Sequence, residues 1–230
     1  MIAIICAMSE ERDAFISLMK DVKTVKIENI LYHGMAFDNK CYKGELSGKD
    51  VVIVHSGIGK VYAAIVTTLV IKKFKPELVV NVGCAGSLKS KIHVGDVVVA
   101  DRVADWDVDV PGWNRSIQSD KMSFACDGRF VKLAKQIKKV KVGPIVSGDE
   151  FIYKKSQVNT INKYFASALC GEMEGSSIAN TCYAFGINSA IVRSISDETL
   201  VNGDYKNFDF NLNNACINAA KICSEIIKRY

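Results

Sequence analysis

The sequence predicts an α/β protein whose single β-sheet carries a ligand-binding crevice at the ends of its strands. Three apolar, strand-like runs, at residues 2–7, 51–55 and 78–82, each lead into a turn of small or short residues. Helical patterns follow the first two runs, and alternating strands and helices are typical of sheets that bind ligands beyond the carboxyl ends of their strands. The 230 residues most simply form one domain, residues 1–230.

Composition limits the classes of partner. The hydrophobic content of 49% and the charged content of 24% are ordinary for a globular protein, and the net charge of +5 is mild. The lysines are scattered rather than gathered in a stripe, so we expect no nucleic-acid partner. The eight cysteines form no CxxC pair and no short Cys/His metal signature, and most lie among apolar or small residues. We therefore expect free thiols in a reducing compartment.

The first eight residues are apolar but do not resemble a targeting segment. No basic residue precedes them, and Ser9-Glu10-Glu11-Arg12-Asp13 follows at once. This pattern is neither that of a signal peptide nor that of a membrane span. We therefore expect a cytoplasmic protein without membrane association.

The same stretch predicts the first strand and the first helix. The apolar run at residues 2–7 indicates a buried strand, and Ser9 is a suitable N-cap for a helix at residues 10–20. Glu11, in the first turn of that helix, has two interpretations. It either matches the helix dipole or faces the ligand crevice from the first turn of the sheet.

The second unit repeats the design of strand, small-residue turn and helix. Residues 30–46 hold two alternating runs, which suggest an antiparallel meander. A buried strand at residues 51–55 then leads through Gly57-Ile-Gly59 into a helix at residues 61–73. The two glycines let backbone approach a ligand, but the third glycine of a dinucleotide fingerprint is missing, and no P-loop sequence occurs. Nicotinamide and ATP chemistry are therefore disfavoured.

A strand at residues 97–100 is followed by a long segment of different character. Between residues 101 and 122, Asp105, Asp107 and Asp109 alternate with apolar residues. Alternating acids can bind a hard cation, but the glycine and the late glutamate of an EF-hand are absent, so a metal site is disfavoured. A long loop that carries aromatic residues in a compact domain is more often an active-site or interface loop.

A further helix and strand lead to an aromatic side chain of open function. The pattern predicts an amphipathic helix at residues 128–140 and a strand at residues 141–147. Phe151 follows the end of that strand. An aromatic residue at such a place belongs either to the core or to a stacking platform for a planar ligand.

Charged residues at apolar positions mark the last part of the sheet. Glu172 and Glu174 lie where a strand leads into a helix, among small and apolar residues, which favours a functional role over solvation. A strand at residues 187–198 carries Arg193 inside and ends with Asp197. An arginine in a buried strand needs an anionic or polar partner, because an unpaired buried charge is strongly destabilising. An aspartate at the carboxyl end of a strand lies where open α/β sheets keep their ligands.

Six ordered motifs carry a resemblance to a known family. They are Ala7-Met-Ser-Glu-Glu11, Ser56-Gly-Ile-Gly-Lys60, Asn81-Val-Gly-Cys-Ala-Gly86, Val146-Ser-Gly-Asp-Glu-Phe-Ile152, Glu172-Met-Glu174 and Val192-Arg-Ser-Ile-Ser-Asp197. Over nearly its whole length the chain resembles the 5′-methylthioadenosine/S-adenosylhomocysteine nucleosidases of the nucleoside phosphorylase superfamily. The resemblance implies a dimeric, three-layer α/β/α protein with a central mixed sheet. It also implies hydrolysis of the N-glycosidic bond of a 5′-thio-substituted adenosine to adenine and a thioribose, without a cofactor or metal.

The resemblance assigns catalytic roles to residues of these motifs. Asp197 would donate a proton to purine N7 with Ser196 positioning its carboxyl group, and Glu11 would activate the attacking water with help from Arg193. Glu174 would accept hydrogen bonds from both ribose hydroxyls. Its negative charge would also favour the positive charge that builds on the ribose in the transition state.

The resemblance also implies the contacts of a nucleoside substrate. Phe151 would stack on the adenine, and the backbone of Ile152 would read its edge. Val110 and Trp113 would come from the partner subunit of a homodimer and complete the neighbour's pocket. The other expected contacts are Met8, Ile58 and Phe208 around the 5′-thio group, together with Cys84, Glu172 and Met173.

Three positions depart from the usual pattern of that family. The turn reads Gly83-Cys-Ala-Gly-Ser87, with Cys84 where a serine or a similar small residue is common and Ser87 in place of a glycine. Trp113 stands where a smaller aromatic is usual. The sequence therefore leaves the preference among 5′ substituents open.

Three alternative functions accompany the main hypothesis. A purine nucleoside phosphorylase of the same fold would need a cationic cradle for phosphate, whereas the first turn here carries Glu10 and Glu11. A second hydrolase hypothesis is a futalosine-type nucleosidase. The third alternative, a non-catalytic nucleoside-binding sensor, requires neither Glu11 nor Asp197, and both are present.

Overall fold

The computed structural model describes residues 1–28, 31–32, 35–36, 40–119, 121–199 and 208–230. In these residues a ten-stranded mixed sheet lies among helices, and two short strands pair separately. The helices are α1 (Ser9–Ile16), α2 (Lys60–Phe74), α3 (Gly128–Ala134), α4 (Lys155–Tyr164), α5 (Gly175–Ala184) and α6 (Phe208–Arg229). The strands are β1 (Ile2–Cys6), β2 (Lys20–Lys26), β3 (Leu31–Tyr32), β4 (Met35–Ala36), β5 (Lys40–Leu46), β6 (Lys49–His55), β7 (Leu78–Ser87), β8 (Val97–Asp105), β9 (Ser123–Ala125), β10 (Val140–Ser147), β11 (Cys170–Glu172) and β12 (Asn188–Glu198).

The large sheet mixes parallel and antiparallel pairings. Its strands lie in the order β11-β10-β8-β12-β7-β1-β6-β5-β2, and β9 pairs with β8. β1 is parallel to β6 and to β7, and β7 is parallel to β12. Antiparallel pairs join β12 to β8, β5 to β6 and β2 to β5. The predicted central mixed sheet is therefore confirmed.

Alternate residues of the central strands face opposite layers of helices. Ile2 and Ile4 of β1 pack in one cluster with buried residues of α1, α3 and α6. Ala3 and Ile5 of the same strand pack in another cluster with α2 and α5. Burial on both faces explains why β1 reads as a continuous apolar run rather than as an alternating one. The predicted three-layer α/β/α arrangement is confirmed.

One half of the sheet curls back on itself. β11 pairs in parallel with β10 and antiparallel with the last residues of β7, where Gly171 lies opposite Gly86. This second pairing brings Glu172, at the end of β11, beside the small-residue segment at the end of β7. The carboxyl ends of β1, β6, β7 and β12 meet at the same edge, because these strands are parallel.

A β-bulge sets the direction of Asp197 at the end of β12. The register of β12 against β7 shifts between Ile195 and Asp197, so that Asp197 lies opposite Gly86. A bulge adds one residue to a strand and re-aims the side chains that follow it. The aspartate consequently lies against the small-residue segment of β7.

The first helix is shorter than the sequence predicted. A helix was expected at residues 10–20, but α1 ends at Ile16. Two hydrogen-bonded turns follow, and β2 begins at Lys20. Asp21, with φ of 52°, lies at a bulge within β2, where the register against β5 shifts between Lys20 and Lys23. Pairing of β2 with β5 therefore prevails over the helical pattern there.

Other element bounds also differ from the prediction. The helix expected at residues 128–140 is α3, which ends at Ala134. Turns with hydrogen bonds between residues i and i+3 then lead to β10. The strand expected at residues 97–100 extends to Asp105 as β8. The meander expected at residues 30–46 lies partly outside the described residues. Its last strand, β5, is antiparallel to β6 as a meander requires.

None of the eight cysteines forms a disulfide, and all except the partly exposed Cys84 are buried. Within the residues that the structure describes, no helix is both long enough and apolar enough to cross a membrane.

Candidate active site

A cleft with an empty volume of about 730 Å³ opens at the strand ends. Its walls come from segments that follow β1, β6 and β10 and from the last residues of β7, β11 and β12. The predicted site residues that line it are Met8, Glu11, Ile58, Cys84, Phe151, Ile152, Glu172, Met173, Glu174, Ser196, Asp197 and Phe208.

Three predicted site residues do not line the cleft of this chain. Arg193 is buried behind Glu172 and is 1% exposed. Val110 and Trp113 lie on the loop after β8 and are 37% and 38% exposed. The resemblance places these two in the pocket of a neighbouring subunit, so their absence from the cleft of one chain does not bear on that assignment.

Glu11 is held against the backbone at the start of α1. Its Oε2 atom accepts hydrogen bonds from the N–H groups of Ala7 (2.9 Å) and Met8 (3.0 Å), and its Oε1 atom accepts one from Cys84 (3.0 Å). The side chain is buried, and burial raises its pKa, although Arg193 and these hydrogen bonds offset part of the effect. A fixed carboxylate with a raised pKa is suited to take up a proton near neutral pH.

The glycines of β7 make room for the two carboxyl groups. A methyl group on Gly83 would lie 2.9 Å from the carboxyl carbon of Glu11, and one on Gly86 would lie 3.0 Å from Oδ2 of Asp197. Neither glycine has a positive φ, so their requirement is space rather than backbone conformation. The segment between them therefore separates Glu11 from Asp197 while both face the cleft.

Asp197 is oriented by its neighbours on β12 and α6. It is 1% exposed, and its Oδ1 atom accepts a hydrogen bond of 2.9 Å from the Ser196 hydroxyl. The side-chain amide of Asn211 donates to the Ser196 carbonyl oxygen (2.9 Å) and so fixes the strand end to α6. The carboxyl group is thereby held at the surface of the cleft.

Glu172 is the anionic partner that buried Arg193 requires. The Nη2 group of Arg193 donates to Oε2 of Glu172 and to Oδ1 of Asn81, and it lies 3.8 Å from Oε2 of Glu174. Burial lowers the pKa of the guanidinium, but the carboxylates of Glu172, Glu174 and Glu11 more than offset this, so its pKa is raised. Arg193 is therefore a permanent positive charge beneath three acidic side chains.

Glu174 faces the cleft from the N-terminus of α5. Its Oε1 atom accepts a hydrogen bond of 2.9 Å from the N–H of Gly59, in the turn that precedes α2. Burial and the nearby Glu172 raise its pKa above that of an ordinary glutamate. Its Oε2 atom is 3.8 Å from Arg193, whose charge opposes that shift.

Apolar side chains form the rest of the cleft wall. Phe151 is 41% exposed and meets the Phe208 ring edge-on, with 5.8 Å between ring centroids. Ile152 is buried against Gly171, which has no side chain to obstruct it. Exposure at the cleft favours a stacking platform over a core position for Phe151.

Cys84 has a neighbour that the sequence did not reveal. Its Sγ atom lies 3.8 Å from Sγ of Cys216 on α6. This contact and burial raise the pKa of the Cys84 thiol, so it stays protonated at neutral pH. Its backbone N–H, rather than its thiol, holds Glu11. The thiol is therefore a packing group between β7 and α6 and not a nucleophile.

The charged side chains that line the described part of the cleft are all acidic. Among its described lining residues there are carboxyl groups, including an unpredicted one on Glu150, but no lysine, arginine or histidine. In the described part of the chain, no group of three or more His, Cys, Asp or Glu side chains is arranged to hold a metal ion. The acidic residues at Asp105 and Asp107 have a lysine partner, Lys60.

Three polar residues that support the site escaped the sequence interpretation. Asn81 donates to the Ile5 carbonyl oxygen (2.9 Å) and accepts a hydrogen bond from Arg193. Asn211 bonds to the Ser196 carbonyl oxygen. Lys60 pairs with Asp105 and Asp107, which lie 45 and 47 residues further along the chain. Asn81 and Lys60 lie within recognised motifs. No sequence signal shows which partner such a side chain meets across distant segments.

Known proteins are similar to this chain along its full length. A family model described as the phosphorylase superfamily matches residues 1–228. A protein of Staphylococcus saprophyticus described as a 5′-methylthioadenosine/S-adenosylhomocysteine nucleosidase is 40% identical over 237 residues, which cover 99% of each chain.

Two solved structures have the same fold. A 5′-methylthioadenosine/S-adenosylhomocysteine nucleosidase of Neisseria meningitidis, in complex with methylthio-immucillin-A, is 34% identical with a TM-score of 0.87, covering 100% of this chain and 99% of that chain. A Borrelia burgdorferi B31 protein assigned to the same kind of nucleosidase, bound to adenine, is 31% identical with a TM-score of 0.90 and is matched over 100% of both chains.

Proposed function

The chain belongs to the phosphorylase superfamily and, within it, to the 5′-methylthioadenosine/S-adenosylhomocysteine nucleosidases, and from this membership we propose that it is a purine nucleoside hydrolase. It cleaves the N-glycosidic bond of 5′-methylthioadenosine and S-adenosylhomocysteine, with 5′-deoxyadenosine as a further substrate, and releases adenine and the 5-substituted ribose. One observation carries the proposal. The cleft combines two buried carboxyl groups, Glu11 and Asp197, with no cationic side chain among its described lining residues.

The reaction breaks one bond to C1′, forms another and transfers two protons. The bond between C1′ and N9 breaks, its electron pair leaves with the purine, and positive charge builds on the ribose in an oxocarbenium-like transition state. Asp197 donates a proton to N7, so the base departs as neutral adenine. The oxygen of a water molecule bonds to C1′, and Glu11 takes up a proton from that water.

The surroundings of Glu11 suit the role of a base. Burial raises its pKa towards the working pH, so the carboxylate accepts a proton more readily than an exposed glutamate. The charge of Arg193 opposes this shift and keeps the group ionised before the reaction. In this proposal Arg193 assists the water step through its charge and is a positioning residue for Glu172 and Glu174.

The remaining contacts hold the nucleoside in place. Glu174 accepts hydrogen bonds from both ribose hydroxyls, and its negative charge stabilises the ribosyl cation. Phe151 stacks on the adenine ring, and the Ile152 backbone reads its edge. Met8 and Ile58 line the apolar part of the cleft that takes the 5′-thio group, with Phe208, Met173 and Cys84 as further contacts.

The charge of the cleft argues against phosphorolysis. A phosphate nucleophile needs cationic side chains or free N–H groups beside C1′. Here the N–H groups of Ala7, Met8 and Cys84 already bond the Glu11 carboxylate, which repels an anion. Water, which is uncharged, meets no such barrier.

A homodimer completes the site in this proposal. Val61 and Ile65 lie on one face of α2 and are 66% and 40% exposed, and the loop after β8 exposes Val110 and Trp113. A second copy that covered these apolar side chains would bring Val110 and Trp113 to the neighbour's cleft. Eight cysteines that form no disulfide support a reducing, cytoplasmic location.

Adenine release from purified protein tests the proposal. The protein is incubated with 5′-methylthioadenosine in buffer without phosphate, and adenine is followed by chromatography. We expect multiple turnovers with this compound and with S-adenosylhomocysteine. No adenine from either compound, with turnover of futalosine, would assign the chain to the alternative hydrolase class, and binding without turnover would assign it to the sensors.

A further inference from the structure

Four charged side chains form a cluster beside the cleft. The Nζ atom of Lys60 lies 2.7 Å from Oδ1 of Asp107, 3.3 Å from Oδ1 of Asp105 and 3.6 Å from Oδ2 of Asp149. The backbone N–H of Lys60 also donates to Oδ1 of Asp149 (3.3 Å), and the N–H of Asp149 donates to Oδ2 of Asp107 (2.7 Å). A single lysine is therefore paired with carboxylates from two separate segments.

The cluster joins two walls of the cleft. Lys60 begins α2 and directly follows Gly59, whose N–H holds Glu174. Asp149 lies two residues before Phe151, on the segment between β10 and α4. The turn at residues 56–59 serves the sugar side of the cleft, and the segment at residues 148–152 serves the base side. Lys60 bonds to the second of these segments through both its backbone and its side chain.

The positive charge of Lys60 offsets the repulsion among the three carboxylates around it. The Lys60, Asp105 and Asp107 side chains are 18%, 17% and 20% exposed, so water screens their ion pairs only in part, whereas Asp149 is 58% exposed and its pair with Lys60 is screened more strongly. Burial lowers the pKa of Lys60, but the hydrogen bond to Asp107 and the surrounding carboxylates more than offset this, and its pKa is raised. Without Lys60, three carboxylates would repel one another across the junction of the two walls.

The cluster is also bonded to the interior of the site. Oδ1 of Asp105 accepts a hydrogen bond from the Ser176 hydroxyl (2.6 Å), and the Ser176 N–H donates to the Ser147 hydroxyl oxygen (2.8 Å). That hydroxyl donates to Glu172. The aspartate that pairs with Lys60 is thus anchored to the residue that holds Arg193.

We propose that Lys60 is a positioning residue for the nucleosidase reaction, and that its ion pairs clamp the turn at residues 56–59 to the segment at residues 148–152. The inference rests on the function proposed above. Lys60 touches no reacting atom. It sets the separation between the Gly59 N–H, which holds the ribose-binding carboxylate of Glu174, and the Phe151 ring, which stacks on the base.

The first test compares three single variants in steady-state hydrolysis of 5′-methylthioadenosine. Lys60→Met is expected to raise KM about tenfold and to lower kcat by a smaller factor, because both walls lose their mutual support. Lys60→Arg keeps the charge and should restore KM to within about threefold of wild type. Lys72→Met, an exposed lysine on the same helix, is the matched control and should leave both constants unchanged. An unchanged KM for Lys60→Met would overturn the proposal.

A double variant separates charge from packing. Lys60→Met combined with Asp107→Asn removes the lysine and one of the carboxylates that it neutralises. If the Lys60–Asp107 ion pair contributes to the clamp, Asp107→Asn should add little to the KM change of Lys60→Met, because the pair is already broken. If the two substitutions change KM additively when measured singly and together, the lysine does not act through this pair, and the proposal is wrong. Should Lys60→Met fail to fold, Asp107→Asn alone removes the shortest ion pair, and an unchanged KM for that variant overturns the proposal.

Hydrogen exchange distinguishes failure of the clamp from failure of the proposed function. Absence of adenine release by the wild-type protein would refute the proposed function but would not test the clamp. Amide exchange is then compared between wild type, Lys60→Met and Lys72→Met without any ligand. We expect faster exchange at residues 56–60 and 148–152 in Lys60→Met only. Equal exchange in these segments for all three proteins would overturn the clamp.

Discussion

Gly83→Ala is the substitution that most directly challenges the placement of Glu11. The added methyl group would lie 2.9 Å from the Glu11 carboxyl carbon and closer still to its Oε1 atom. Ordinary contact begins at 3.4 Å, so the carboxyl group has to withdraw by at least 0.5 Å, the difference between these two distances. The φ angle of Gly83 is not positive, so alanine fits the backbone and the effect is confined to this clash.

Withdrawal of Glu11 should affect catalysis more than folding. It weakens the hydrogen bonds from Ala7, Met8 and Cys84, and a displacement of about 1 Å in a catalytic group can cost about 100-fold in rate. We expect kcat/KM for 5′-methylthioadenosine to fall between about 10- and 100-fold. The loss of stability should be about 1–2 kcal/mol, because hydrogen bonds to a buried charge are weakened and not abolished. Adenine release and thermal unfolding measure the two effects.

Gly128→Ala is the matched control for this experiment. Gly128 is the first residue of α3, a methyl group there would meet nothing within 4 Å, and its φ is not positive. We expect full activity and unchanged or slightly higher stability from this variant. Full activity in Gly83→Ala would refute the argument, since it would mean that the carboxylate held by Ala7, Met8 and Cys84 does not activate the water.

Three further predictions follow from the same site. Asp197→Asn removes the proton donor but keeps the size of the side chain, so kcat should fall about 1,000-fold while binding of a substrate analogue is retained. Near-normal turnover would exclude Asp197 as the acid that protonates the purine. Burial raises the pKa of Glu11 and of Glu174, and both carboxyl groups must be ionised for activity. The acid limb of the pH profile of kcat/KM should therefore lie above the ordinary glutamate pKa of 4.5. A limb at or below that value would contradict the assignment. Glu172→Gln removes the carboxylate that directly pairs with buried Arg193 and should destabilise the fold by about 3–5 kcal/mol, measured as a lower midpoint of thermal unfolding. An unchanged midpoint would show that Glu172 is not the main partner of Arg193.

The sequence predicted those parts of the fold that are buried on both faces. β1, β6 and β7 appear as continuous apolar runs because helices cover both sides of the sheet, and glycine-containing turns end two of them. β2 has no such pattern, since it is an exposed edge strand held by backbone pairing to β5. α6 was not predicted, although its buried residues, among them Ala219, Cys223 and Ile226, recur at helical spacing.

The motifs predicted most of the cleft lining but not its internal pairing. Asp197 and Arg193 were recognisable as site residues because a charged side chain in a buried apolar strand is destabilising unless it has a partner or a function. The choice of Glu172, rather than Glu11, as the residue that directly bonds Arg193 depends on the curl that brings β11 beside β7. The alternating acids Asp105 and Asp107 had no visible counter-charge in the sequence, because Lys60 lies on a different unit of the fold.

The identity of the sugar product is the measurement that tests the central claim most directly. The protein is incubated with 5′-methylthioadenosine in the presence and absence of millimolar phosphate, and the sugar is examined by mass spectrometry and ³¹P NMR. An acidic cleft with water as the nucleophile predicts free 5-methylthioribose and the same rate of adenine release in both samples. A sugar 1-phosphate, or adenine release that requires phosphate, would contradict it.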